Sequence, residues 1–246
     1  MTTPSETAPP ITPGTPRARR NGVLLLLRDV LVIVVVAVLI SGLVKTFLVR
    51  SFYIPSSSMN NTLVQEDRII VNELVPDVVP LSRGDVIVFK DPGGWLEPVP
   101  ADEGGSITGL LDNALQAVGL TAEETNDHLI KRLIGLPGDH VVCCNPLGQM
   151  TVNGQPLDES PYVKDAESST AASSIPFDVT VPADALWVMG DNRGNSADSR
   201  LQQGTPSKGF VPTGNVTGRA VAITWPIDRW HWLDNFPSTF QDLDPR

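Results

Sequence analysis

The stretch LIKRLIGLPGDHV, residues 129–141, decides the architecture. Apolar residues fill both of its halves, and Gly-Leu-Pro-Gly at 135–138 interrupts them, so it reads as strand, turn, strand. Alternation along a strand puts Lys131 on one face with Leu129 and Leu133, and Arg132 on the other with Ile130 and Ile134. A cation on a strand is usually solvated. The pattern does not say which of these two is buried.

Similar short runs recur outward from this stretch. They are RIIVN at 68–72, DVIVF at 85–89 behind the turn Ser82-Arg83-Gly84, FDVTV at 177–181, ALWVM at 185–189 and GRAVAITW at 218–225. A hairpin is predicted where residues 150–152 and 155–157 flank Asn153-Gly154, the strongest two-residue turn signal. Short runs bounded by Gly, Pro, Asn and Asp predict a mainly β domain over 50–246. Residues 92–127 are Gly-, Pro- and acid-rich with one predicted helix at 107–118, and read as an insertion in that domain. Residues 165–176 read as a Ser/Ala-rich loop. WPIDRWHW, 225–232, carries three tryptophans, which suit an interfacial belt and packing at a sheet edge equally well.

Residues 1–22 are rich in Thr, Pro and Ala and predict a disordered tail. Residues 23–49 are strongly apolar, with Arg28, Asp29 and Lys45 as their charges. With Lys45 snorkelling, about 20 residues make a helix of roughly 30 Å, the length of a membrane span. The bulky residues that follow hold no small-x-small cleavage site, so the span reads as an uncleaved transmembrane helix. Arg17, Arg19, Arg20 and Arg28 precede its core, which predicts a single-pass cell-membrane protein with a cytoplasmic N-terminus and an extracytoplasmic domain.

The net charge is −10; residues 1–50 hold six Lys+Arg and two Asp+Glu, a balance of +4, leaving −14 on the rest. An acidic main domain argues against nucleic acid as a partner. The two cysteines, Cys143 and Cys144, are neighbours and make no metal framework. Adjacent Cα atoms lie about 3.8 Å apart across a trans peptide, below the usual disulfide minimum of about 4.4 Å. The pair therefore reads as free or strained thiols, with a vicinal disulfide as the alternative if the domain lies in an oxidising compartment.

Three serines stand behind a proline in SFYIPSSSMNNTL, 51–63. Pro55 fixes its own φ and biases Ile54 to extended geometry, so a hydroxyl on this bend can be aimed. Taken alone, the stretch also reads as a serine-rich linker beside the membrane. GDNRGNSADSR, 190–200, is too polar for a strand and reads as a loop.

IPSSSM at 54–59 resembles the nucleophile box I-P-S-x-S-M of bacterial type I signal peptidases, the leader peptidases of the S26 family with a Ser-Lys dyad. That box is usually followed by x-P-T-L; here Asn61 stands at the proline, and Ser57 stands where glycine is common. RGDVIVF at 83–89, IKRLIGLPGD at 130–139 and the loop at 190–200 resemble the family's later boxes, in the family's order. The resemblance covers about residues 51–220. It implies a catalytic domain of coiled antiparallel β-sheet. It implies a membrane-anchored serine endopeptidase that removes signal peptides from exported preproteins, cutting after small residues at −1 and −3. Ser58 is then the nucleophile and Lys131 the general base, with the Ser58 N–H and the Ser56 hydroxyl as oxyanion hole. Ser196 would bond the base, Asp198 and Arg200 would form a structural ion pair, and Asp191 and Arg132 would support the site. The implied partners are signal peptides, membrane lipid and proximity to the secretion translocon, with no nucleic acid, no metal and no other cofactor.

The residue types fit that chemistry. A serine hydroxyl needs a base to take its proton. His128, His140 and His231 lie in no recognisable protease motif. A lysine serves if it is desolvated, because its free pKa is about 10.4. Two alternatives stand beside this reading: an inactive membrane-anchored binding module on the same fold, and a LexA-like self-cleaving Ser–Lys protein, which the acidic charge and apolar segment oppose.

Overall fold

The computed structural model describes residues 18–47, 49–96, 127–164, 171–241 and 243. The first 17 residues of the tail and the helix expected at 107–118 lie outside them. The chain divides into two units, Met1–Leu43 and Val44–Arg246.

The first unit is built on α1, Ala18–Phe47, which starts five residues before the expected span and ends two before its limit. Val, Leu and Ile dominate it, and its described apolar side chains, Leu24 to Leu39, are exposed. Arg28 pairs with the neighbouring Asp29 at 2.8 Å. No helix among the described residues is long and apolar enough to cross a membrane.

The second unit is mainly antiparallel β. Its strands are β1 Val49–Tyr53, β2 Arg68–Asn72, β3 Val86–Lys90, β4 His128–Gly135, β5 His140–Cys143, β6 Thr151–Val152, β7 Gln155–Pro156, β8 Phe177–Thr180, β9 Ala185–Met189, β10 Val211–Pro212, β11 Val216–Trp225 and β12 His231–Trp232; a short helix α2, Pro237–Phe240, follows. The larger sheet runs β1-β2-β11-β3-β4-β9-β10, with β12 also on β11, and the smaller runs β7-β6-β5-β8. The expected strands at 68–72 and 185–189 match β2 and β9 residue for residue. β1 comes from residues that the sequence reading had assigned to the end of the apolar span and the start of the serine stretch. Leaving the helix at Phe47, they pair with β2 in the register Ser51 to Ile70.

β3 and β4 lie inside the larger sheet, which accounts for their unbroken apolar runs. One cluster packs Phe52, Ile54, Met59, Leu63, Ile69, Val71, Val86, Val88 and Ile130. Another packs Ile87, Phe89, Leu133, Leu186 and Val188. Each such side chain contributes about 1.5–3 kcal/mol relative to staying exposed. With cover on both sides, consecutive residues of β4 are buried alike.

One expectation is corrected. Cys143 and Cys144 are joined as a disulfide. The peptide between them is cis and their Cα atoms are 2.9 Å apart. Of the two readings of the tryptophans at 225–232, packing at a sheet edge is the one the exposure disfavours: Trp225, Trp230 and Trp232 are each more than half exposed.

Candidate active site

β1 ends at Tyr53, and after Pro55 residues 57–62 form a run of bend and turn that brings Ser58 to β4. Thr62 and Leu63 both send their backbone N–H to Met59 O, which tightens the loop. Met59 and Leu63 anchor it in the core at 0% exposure. Ser58, directly before Met59, is itself buried, whereas Ser56 is exposed.

β4 supplies the partner. Lys131 pairs with Ile87 across the sheet and Arg132 with Val86, so the two cations leave opposite faces of one strand. Lys131 is 4% exposed and Arg132 0%. Lys131 Nζ donates to Ser58 Oγ at 2.9 Å and to the Ile130 carbonyl at 2.9 Å. Burial lowers the Lys131 pKa from 10.5 to about 8, against the opposing pull of the Asp198 and Asp191 carboxylates.

Each of those carboxylates is committed to an arginine. Arg132 grips Asp191 with two parallel bonds, Nε to Oδ1 at 2.8 Å and Nη2 to Oδ2 at 2.7 Å. Its remaining N–H groups reach Gly84 O, Asp234 O and Thr62 Oγ1, and its plane lies 4.5 Å from the Tyr162 ring centroid. The Thr62 hydroxyl donates to Asp191 in turn. Arg200 grips Asp198 in the same forked way, at 2.8 and 2.7 Å, and the Gly190 N–H donates to Asp198 Oδ2 at 2.9 Å. Burial pushes the Asp198 pKa up, but these bonds outweigh it and hold the carboxyl below its ordinary value. The fork is Arg's characteristic geometry with carboxylate.

Residues 190–195 brace the serine loop. Asn192 N–H donates to Ser58 O at 3.0 Å, and its side-chain amide to Ser57 O at 3.0 Å. Gly190 makes the approach possible: a Cβ there would lie 2.5 Å from Ser58 O and 2.3 Å from Ser196 Oγ. Ser58 N–H points at Ser56 Oγ, 3.2 Å away, so the two expected oxyanion donors are side by side.

One expected contact is not made. The Ser196 hydroxyl is buried but makes no hydrogen bond to Lys131. It faces Asp198 closely enough to help lower that pKa. The histidines bond elsewhere, His128 with Asp127, His140 with Asp178 and His231 with Arg229 O. No group of three or more His, Cys, Asp or Glu among the described residues could hold a metal ion.

The sequence reading missed several members of the site. Tyr162 and Glu159 lie outside every motif; the Tyr162 hydroxyl donates to Glu159 at 2.7 Å, and Arg193 closes the group with a bond to Glu159 at 2.9 Å. Thr62, Asn192, Arg193 and Asn195 lie inside the matched boxes or directly beside them, so position could have found them.

The model for signal peptidases, peptidase S26, matches residues 27–225. The chain belongs to the peptidase S26 family. It is therefore a peptidase, a hydrolase of peptide bonds. Signal peptidase I of Mycobacterium tuberculosis is 38% identical over 221 residues, covering 83% of this chain and 74% of that protein. The probable signal peptidase I of Mycobacterium leprae is 37% identical over 223 residues, covering 81% of this chain and 76% of that one. Signal peptidase I of Leptolyngbya laminosa is 34% identical over 195 residues, covering 79% and 78%. A crystal structure of a signal peptidase I from Enterococcus faecalis overlays with a TM-score of 0.35 at 24% identity, covering 56% of this chain and 95% of that one. In this S26 peptidase the matched region contains Ser58, Lys131, Asp191 and Asp198.

Proposed function

We propose that this peptidase removes signal peptides from exported preproteins by a Ser-Lys dyad, with Ser58 as nucleophile and Lys131 as general base. The 2.9 Å contact between Lys131 Nζ and Ser58 Oγ in a buried setting supports this most directly. A pKa of about 8 leaves a usable fraction of neutral amine near neutral pH.

Neutral Lys131 takes the Ser58 proton as Oγ attacks the scissile carbonyl carbon. The carbonyl electron pair moves to oxygen, which the Ser58 N–H and the Ser56 hydroxyl receive. The C–N bond then breaks, the Lys131 ammonium gives its proton to the leaving amine, and an ester remains on Ser58. Water attacks that ester with Lys131 again as base, releasing the acid and restoring both residues. Asp198 and Arg200, with Asp191 and Arg132, keep two carboxylates from capturing the ammonium by direct contact.

The substrate class follows from the matched relatives, which carry the name signal peptidase I. Cleavage after small residues at −1 and −3 is part of the same reading. The apolar run within α1 and the arginines before it support a single membrane anchor with the catalytic domain outside, beside lipid and the secretion machinery.

The deciding experiment incubates the purified full chain in detergent with a preprotein and sequences the new N-terminus. Cleavage at the signal-peptide boundary that disappears with Ser58→Ala is expected. Intact preprotein with the folded wild type would favour an inactive binding module instead.

A further inference from the structure

The loop that carries Ser58 departs from its family's pattern at positions 57 and 61, and both departing side chains are employed. Asn61 holds its backbone at φ 105, which proline cannot adopt. Its Nδ2 donates to Tyr162 O at 3.0 Å, across 101 residues of chain. On the other side of Ser58, Ser57 Oγ accepts a bond from Asn195 Nδ2 at 2.8 Å, a contact that glycine could not offer. The two tethers flank the nucleophile and end on different parts of the domain, one on the segment after β7 and one on the loop after β9.

Tyr162 is a fixed post. It is 0% exposed, its ring lies against Arg132, and its hydroxyl is held by Glu159. The loop after β9 is equally fixed, through Asp198 with Arg200 and Arg193 with Glu159. Both tethers, beside the Asn192 bond to Ser58 O, resist displacement of the loop.

We propose that Asn61 and Asn195 are positioning residues for Ser58: their side-chain amides hold the loop so that Oγ stays within bonding distance of Nζ and water stays off the lysine. This rests on the reading of Ser58 and Lys131 as nucleophile and base. It adds two groups to the reaction that touch neither substrate nor proton.

The test measures kcat, KM, the pH dependence of kcat and the melting temperature of the full chain with a preprotein substrate. The variants are Asn61→Asp, Asn61→Gly, Asn195→Ala, Ser57→Ala and the Ser57→Ala/Asn195→Ala double. Losing one tether should lower kcat about 3- to 10-fold, the range of one net hydrogen bond, with KM nearly unchanged and the pH midpoint moved upward. Asn61→Gly tolerates the positive φ but has no donor, so it should behave as Asn61→Asp does. The double variant should be no worse than either single, since both remove one bond. Unchanged kcat and pH midpoint beside a lowered melting temperature would overturn the proposal, as would additive losses in the double. Ser58→Ala separates the two levels: an active Ser58→Ala overturns the dyad reading as well, whereas a dead Ser58→Ala beside wild-type-like tether variants overturns this inference alone.

Discussion

Lys131 and Arg132 are consecutive residues, both buried, on opposite faces of β4, and only the arginine touches a carboxylate. Arg132 takes Asp191 on one side, while Lys131 meets a hydroxyl and a carbonyl on the other. A lysine in direct contact with a carboxylate would be held charged. The division of labour between the two cations leaves the lysine free to titrate.

Activity should accordingly rise with pH, with a midpoint near the Lys131 pKa of about 8. Lys131→Arg should be inactive, because a guanidinium does not deprotonate in this range. A pH-rate profile on wild type and variant checks both, and an active Lys131→Arg would assign the base elsewhere.

The same burial burdens the fold at neutral pH. Between pH 8 and 10.5 the unfolded chain holds the Lys131 proton and the folded one does not, so stability rises with pH through that window. Lys131→Met should therefore be more stable than wild type at pH 7, by on the order of 3 kcal/mol at most. The gap should close toward pH 10.5. Urea unfolding at several pH values measures it, and a constant gap would show that packing, not charge, causes it.

Arg132→Met should remove the counter-charge of a fully buried Asp191 and cost about 3–5 kcal/mol. The carboxylate would then act on Lys131 unopposed, so residual activity should show a higher pH midpoint. Arg132→Lys should not rescue it, since an ammonium cannot reproduce the fork. Denaturation midpoints and the pH profile report on the two effects separately.

Ser56→Ala should lower kcat about 100- to 1000-fold, the usual loss for one oxyanion donor, and Ser56→Thr should recover much of it. Steady-state kinetics on both variants settle the point; a neutral Ser56→Ala would leave the Ser58 N–H without a helper.

Gly190→Ala places a methyl group 2.5 Å from Ser58 O, a backbone atom that cannot swing aside. The loop should be displaced, and displacement of the order of 1 Å costs about 100-fold in rate. Activity of the folded variant, with its melting temperature, tests this.

Much of this was legible in the sequence. β2, β9 and the two arms around Gly135–Gly138 follow from apolar runs between turn residues. Lys131 and Arg132 fall on opposite faces as period two requires, but their joint burial depends on layers above and below β4, which a local pattern does not contain. β1 was hidden because its valine continues an apolar run and its pairing partner, β2, lies 15 residues on. Tyr162 was hidden because its value lies in contacts with Arg132 and Asn61, both distant in sequence. The cysteine pairing was not legible because the Cα separation usual for disulfides was applied to sequence neighbours, which do not share it.

The hydrogen bond from Asn192 N–H to Ser58 O has a consequence for biogenesis. The serine is made before the lysine, and the loop that braces them after both; Arg132 also draws on the Asp234 carbonyl, 102 residues further on. Contacts of such long separation form slowly and late. A chain made only as far as Lys131 would thus carry both Ser58 and Lys131 without having them in register, and would be proteolytically silent until the segments that reach Asn192 and Asp234 have been added. The onset of cleavage during refolding would then serve as a clock for the last step of folding.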